Sequence, residues 1–191
     1  MKIGIFGGTF NPVHIGHAII ANYVIRHCGI DRLWMMVSPL NPFKEAQGEL
    51  HNAHRLRMVE MVTRRLDHVE TSGFEFSLPR PSYTIDTLNA LQQKFPDHEF
   101  SLIIGADNWA SFPRWNRYEE ILEKYPVFIY PRHGITIEVP HALKNKVHII
   151  DAPIVEVSST EIRKAIANME NVSFYLPDDV YAYILRHKLY I

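Results

Sequence analysis

Apolar residues gather along this chain in short, partly β-branched runs: Lys2–Phe6, Leu33–Val37, Phe100–Ile104, Val127–Tyr130 and Val147–Ile150. Longer amphipathic stretches lie between them or follow them, at Ile15–His27, Ala53–Leu66, Ile85–Phe95, Tyr118–Lys124, Ser158–Asn168 and Asp179–His187. Continuous apolar strands of this length fit burial on both faces, and strands alternating with helices predict a parallel sheet with helices on both sides. The expected fold is therefore α/β, a doubly wound parallel sheet. No repeat, low-complexity tract or dividing linker interrupts the pattern, so 1–191 is read as a single domain.

Glycine and proline punctuate the pattern at informative places. Gly29 closes the first helix-like segment, and Ser158 with Glu161 predicts a capping box at the start of another. Ser38-Pro39-Leu40-Asn41-Pro42-Phe43-Lys44-Glu45 cannot be regular helix, because two prolines remove donors and restrict the residues before them. This loop follows the second strand and so falls on the carboxyl edge of the sheet, where open α/β folds bind ligands. The irregular stretch Phe74–Ser82, with Pro79 and Pro81, is expected to shape part of the cleft wall.

The most informative stretch is Gly7-Gly8-Thr9-Phe10-Asn11-Pro12-Val13-His14-Ile15-Gly16-His17, directly after the first strand and leading into the first helix. Glycines let backbone approach a phosphate closely, and a helix N-terminus adds free N–H donors with a positive dipole end. His14 and His17 are three residues apart, so a helix puts them on one face where both can reach one anion. Their charge state is open at this level. Zinc ligation needs a third ligand at suitable spacing, which the other histidines do not supply. Val157-Ser158-Ser159-Thr160-Glu161-Ile162-Arg163 is a second anion-binding pattern, with hydroxyls and N–H groups at a helix start and an arginine one turn in. Lys44 is a candidate phosphate clamp.

Composition narrows the reading only a little. The chain has 191 residues, 47% hydrophobic and 21% charged, with net charge −1, which gives no sign of a broad nucleic-acid or membrane footprint. Its one cysteine, Cys28, cannot pair internally and fits a reducing compartment. With no apolar segment of membrane-spanning length and no leader-like start, the expected location is cytoplasmic. The chain lacks a Walker loop, a Gly-x-Ser-x-Gly elbow and the full Gly-x-Gly-x-x-Gly spacing, which argues against P-loop, serine-hydrolase and dinucleotide redox chemistry.

The first block resembles the Gly-Gly-x-Phe-x-Pro-x-His-x-Gly-His signature of the nucleotidylyltransferase superfamily, and 157–163 resembles its Ile-Ser-Ser-Thr-x-Ile-Arg signature with Val157 in place of Ile. Pro81-Ser82-Tyr83-Thr84-Ile85-Asp86-Thr87-Leu88 looks like the Ser-Tyr-Thr-x-Asp-Thr-Leu block of the bacterial nicotinate-nucleotide adenylyltransferases. Ile103-Ile104-Gly105-Ala106-Asp107 with Trp115, and His54-Arg55-Leu56-Arg57-Met58, are similar to further segments of those enzymes. The resemblance runs from Met1 to about Asn168 and implies a Rossmann-like nucleotidylyltransferase domain.

The activity implied is adenylyl transfer from ATP to nicotinate mononucleotide, giving deamido-NAD and pyrophosphate, with Mg²⁺ carried on the ATP phosphates and no metal bound by protein ligands. His14, His17, Lys44 and Arg163 would be the catalytic cations or donors. Gly7, Gly8, Thr9, Phe10 and Gly16, then Gly105 and Asp107, then Ser158, Ser159 and Thr160, would bind ATP. Tyr83, Thr84, Trp115 and Asn116 would hold nicotinate mononucleotide, the ring on Trp115 and its carboxylate on the amides of Thr84 and Asn116. Some relatives have Tyr where this chain has Asn116, which leaves a backbone contact possible there. Acceptors that stay open are the amide mononucleotide and phosphopantetheine, and a nucleotide-binding sensor without turnover is the non-enzymatic alternative.

Overall fold

A computed structural model describes residues 1–39 and 48–191, with the backbone alone for 48–51. Six strands of the described residues form one parallel sheet: β1 (Lys2–Gly8), β2 (Arg32–Val37), β3 (Val69–Ser72), β4 (Glu99–Gly105), β5 (Val127–Tyr130) and β6 (Val147–Ile149). Their spatial order is β3-β2-β1-β4-β5-β6, all pairs parallel. The order reverses direction between β1 and β4, which makes their carboxyl ends the topological switch point of a doubly wound sheet.

Among the described residues seven α-helices cover the sheet: α1 (Ile15–His27), α2 (Gly48–Thr63), α3 (Thr84–Lys94), α4 (Ala106–Ser111), α5 (Tyr118–Lys124), α6 (Ser159–Ala167) and α7 (Asp178–Arg186). Strand residues alternate between two cores. Phe6, Leu33, Met35 and Ile103 point to one, with α1, α2, α6 and α7; Ile3, Ile5, Met36 and Leu102 point to the other, with α3, α5 and Phe112. Most of these residues are almost fully buried, which explains why the central strands read as continuous apolar runs. Gly4 lies where an added Cβ would sit 3.1 Å from Ile30 Cδ1, so this position lets side chains from the neighbouring strand and loop close over β1.

The expected fold class is the observed one. Two elements escaped the sequence pattern. β3, Val-Glu-Thr-Ser, is a short edge strand whose half-polar composition carries no apolar run. α4 is a six-residue helix directly after β4, too short for a helical period. The stretch from Phe74 contains a 3-10 turn at Phe74–Ser77, and α2 begins at Gly48, ahead of the expected Ala53. Gly29, at φ +65°, ends the α1 region as expected of a helix-closing glycine. No described helix is long and apolar enough to cross a membrane.

α7 is anchored by Val180 and Ile184, both fully buried in the core shared with α1, α2 and α6. Ile184→Ala is expected to cost about 2–5 kcal/mol, a lowering of Tm by several degrees or more in thermal unfolding. An unchanged Tm would mean that α7 is not part of the cooperative core.

Candidate active site

A cavity of about 380 Å³ opens at the carboxyl ends of β1 and β4. One wall is the end of β1 and the turn after it, Gly7 to Phe10, with His17 from α1 and Ser159 from α6. The opposite wall is Thr84 and Thr87 of α3 with Trp115, and Glu75, Tyr130 and Arg132 complete it. The sequence thus delivers a phosphate-type turn and an aromatic wall to the same switch point.

The turn is unusual backbone. Phe10 has φ +45°, a left-handed conformation that costs a non-glycine residue roughly 1–3 kcal/mol and persists only where the surroundings hold it. Its ring is buried, packs edge-on against Phe6 (5.6 Å) and His17 (4.9 Å), and lies under Gly8, where a Cβ would come within 3.1 Å of it. Side chains also hold the turn's carbonyls. Arg55 Nη1 donates to Thr9 O (2.5 Å), Arg163 Nη1 to Asn11 O (2.6 Å) and Ser159 Oγ to Pro12 O (2.9 Å), while Tyr190 Oη bonds Asn11 Oδ1 (2.6 Å).

His14 is the N-cap of α1 and nearly fully buried; His17 lies in the first turn. Their rings stack at 3.7 Å between centroids. The His14 backbone N–H donates to His17 Nδ1 (3.2 Å), so a neutral His17 carries its proton on Nε2. Burial, reinforced by the Arg132 guanidinium, pulls His14 down to about 4. Burial first, then His14 and Arg132, holds His17 well below its ordinary value. Both imidazoles are therefore neutral near pH 7, and His17 is a neutral N–H donor on the cavity wall. Arg132 lies over the Tyr130 ring at 5.2 Å, with Nη2 donating to Tyr130 Oη (3.3 Å) and Nε 3.6 Å from Asp107 Oδ1. Its buried Nε has no hydrogen-bond partner among the described residues.

On the other wall, Thr84 is the first residue of α3, so its N–H is among those without an intrahelical acceptor. Asp86 serves as a cap, accepting the Tyr83 backbone N–H (3.4 Å), and pairs with Arg117. Trp115 packs on Phe112 at 5.1 Å and presents a half-buried indole to the cavity. Burial raises the Glu75 carboxyl above its ordinary value, against hydrogen bonds from Ser38 and Thr87. The donors around this space are N–H groups, a neutral imidazole and a guanidinium, a set for phosphate oxygens rather than for a bare metal ion. No group of three His, Cys, Asp or Glu able to hold a metal occurs among the described residues.

Residues 5–165 match the cytidylyltransferase-like family model. Over 191 residues the chain is 46% identical to a probable nicotinate-nucleotide adenylyltransferase of Flavobacterium psychrophilum, covering 100% of this chain and 99% of that protein. The equivalent Bacteroides fragilis protein, also named probable nicotinate-nucleotide adenylyltransferase, is 44% identical over 185 residues, 97% of this chain and 92% of its own. The chain belongs to the nicotinate-nucleotide adenylyltransferase family. The same fold occurs in a solved Plasmodium falciparum nicotinic acid mononucleotide adenylyltransferase complexed with NaAD, at TM-score 0.82 and 18% identity, covering 99% of this chain and 97% of that one.

Of the residues the resemblance singled out, Gly7, Gly8, Thr9, Phe10, His17, Thr84, Trp115 and Ser159 meet in the cavity wall. His14 and Gly16 lie behind His17; a Cβ on Gly16 would come within 3.1 Å of the His14 ring. Gly105 is the N-cap of α4, close to Asp107 and to Tyr130 of the cavity wall, but neither Gly105 nor Asp107 lines the cavity. Ser158 is the N-cap of α6: its Oγ accepts from Glu161 N (3.1 Å) and donates to the Glu161 carboxylate (2.9 Å). Thr160 accepts from Arg163 Nη2 (3.3 Å), and Asn116 Oδ1 accepts from Arg117 Nε (3.2 Å), so these side chains face protein partners. Tyr83, at the N-cap of α3, is exposed. Lys44 lies outside the described residues. Sequence reading missed Arg132 and Glu75. The signal for Arg132 was present, since Tyr130-Pro131-Arg132 directly leaves the carboxyl end of β5.

Depressed histidine pKa values make the folded state bind fewer protons than the unfolded one, so their contribution is intact above about 6.5 and is lost as pH falls towards 4. Each group adds at most about 1.4 kcal/mol per pH unit in that window. Urea unfolding of His14→Gln is expected to show a shallower loss of stability between pH 6.5 and 4 than the unaltered chain. Identical slopes would show that His14 is not held neutral by the fold.

Proposed function

We propose that this chain transfers the adenylyl group of ATP to nicotinate mononucleotide, forming deamido-NAD and pyrophosphate in NAD biosynthesis. The observation that carries this reading is one cavity with two unlike walls, a phosphate-binding turn on one side and Trp115 with the α3 N-terminus on the other. The names of the family relatives, and the NaAD complex of a protein of the same fold, support it.

The chemistry needs no protein nucleophile. A phosphate oxygen of the mononucleotide attacks the α-phosphorus of ATP, a new P–O bond forms, the bond to the bridging β-phosphate oxygen breaks, and the electron pair leaves on pyrophosphate. The protein's part is to align two polyanions and to place donors where charge accumulates. In this reading the backbone at Gly8, Thr9 and Phe10 receives phosphate oxygens, and His17 donates through Nε2–H. Arg132 brings a positive charge from β5. Lys44 is proposed as a second cation from the loop that follows Ser38. His14 supports His17 from below. Arg163, Ser158, Ser159 and Thr160 form the α6 side of the ATP site, Arg163 acting there through the Asn11 carbonyl it already holds. Gly7 and Gly16 allow close approach, and Gly105 with Asp107 forms the ATP side near β4. Mg²⁺, held through the ATP phosphates, would neutralise charge on the leaving pyrophosphate.

At the acceptor end, Trp115 offers an aromatic face to the pyridine ring, and the amides of Thr84 and Asn116 suit its carboxylate, with Tyr83 at the edge. Free N–H groups at a helix start favour a negative group over a neutral amide, which is the physical reason for preferring the acid mononucleotide.

Pyrophosphate release with ATP and Mg²⁺ is to be compared for nicotinate mononucleotide, nicotinamide mononucleotide and phosphopantetheine. Marked preference for the nicotinate acceptor is expected. Preference for either of the others would overturn the assignment of the Thr84 wall, and ATP binding without release would favour a sensor. His17→Ala is expected to fold and to lose ~10²-fold or more in turnover, as a lost transition-state donor does. Near-normal turnover would remove His17 from the mechanism.

A further inference from the structure

We infer that Arg55 and Tyr190 are positioning residues for the transfer, holding the turn after β1 from its outer side so that its amides face the cavity. This rests on the function proposed above.

Arg55 is wholly buried on α2 and is not part of the cavity wall. Its Nη1 bridges two carbonyls, Thr9 O (2.5 Å) and Ser38 O (2.7 Å), and its Nη2 donates to Asn52 Oδ1. None of these acceptors carries a charge. A guanidinium buried with only neutral partners is costly, and burial draws its pKa down to about 10. Packing alone would be met by leucine or methionine at less cost. What arginine adds is a planar group whose Nη2 is fixed on Asn52 while its Nη1 joins two strand ends, the residue after β1 and the residue after β2, both of which line the cavity. An ammonium is a point charge with no second nitrogen to sit on Asn52, so nothing would orient the donor that bridges the two carbonyls.

The geometric consequence follows from the peptide itself. The Thr9–Phe10 bond is trans and planar, so drawing the Thr9 carbonyl towards Arg55 aims the Phe10 N–H the opposite way, to the side that lines the cavity. The left-handed φ of Phe10 needs such restraint.

Tyr190 acts on the next residue. Its hydroxyl bonds Asn11 Oδ1 at 2.6 Å across a separation of 179 residues, and burial raises the phenol's pKa, which keeps it a protonated donor. The chain's last residues thereby reach the phosphate turn. Arg55 and Arg163 both lie close enough to Tyr190 to act on it electrostatically, so the three groups form one cluster behind the turn.

The test compares Arg55→Lys, Tyr190→Phe and Leu91→Ala, the last removing buried packing near the C-terminal end of α3, in the core that neither Arg55 nor Tyr190 joins. Expected are a kcat lower by about tenfold or more in Arg55→Lys, a smaller fall in Tyr190→Phe, and KM values for both substrates that move less than kcat. Leu91→Ala is expected to keep the wild-type kcat per folded molecule. The ¹⁵N–¹H resonance of the Phe10 amide in the ligand-free protein supplies a readout independent of turnover. It is expected to shift in the first two variants and not in Leu91→Ala. An unmoved Phe10 resonance in folded Arg55→Lys and Tyr190→Phe would overturn the inference, as would a shifted resonance with unchanged kcat. Absence of any pyrophosphate release by the unaltered chain would instead sink the proposed function and leave the amide test standing.

Discussion

The site depends on how the carbonyl groups of Thr9, Asn11 and Pro12 are satisfied. Each is taken by a side chain from elsewhere in the sequence, Arg55 of α2, Arg163 and Ser159 of α6, while the Tyr190 hydroxyl takes the Asn11 side chain. Backbone donors and acceptors cannot be left unpaired in the interior, so these contacts answer a need of the fold itself. In the proposed mechanism the same hydrogen bonds that close the protein behind β1 also hold the anion site in front of it.

Charge follows the same division. The cations behind the turn are held on carbonyls, whereas Arg132 lies over the Tyr130 ring beside Asp107 and close enough to the two histidines to act on both. Its presence and their burial keep both imidazoles neutral, so His17 presents a fixed N–H rather than a mobile proton. A neutral donor of defined tautomer, held by the His14 amide, suits a phosphoryl group whose charge shifts among oxygens during transfer. Stacking at 3.7 Å would be opposed by charge on both rings, so neutrality and geometry reinforce each other.

Much of this was legible in the chain. The apolar runs of β1, β2, β4, β5 and β6 gave the parallel sheet because a doubly covered sheet buries both faces of its strands. Gly8 and Phe10 were legible because close backbone approach leaves a residue-type signature, and Ser158 because a helix cap does. β3 was hidden by its polar edge composition. Arg55 stood inside a recognised motif without a role, since its partners are carbonyls 46 and 17 residues away and main-chain acceptors leave no mark in sequence. For the same reason Arg163 reads from sequence as a group aimed at phosphate, while the structure shows it on the Asn11 carbonyl. The reach of Tyr190 to Asn11 depends on the path of α7, which no local pattern records.

A crystal structure with deamido-NAD bound would test the central claim most directly, because that molecule contains both halves of the reaction. The account predicts its pyrophosphate against the Phe10 amide and His17 Nε2, with the pyridine ring on Trp115 and its carboxylate at the start of α3. Binding at the opposite edge of the sheet, or in this cavity with the pyridine away from Trp115, would contradict it.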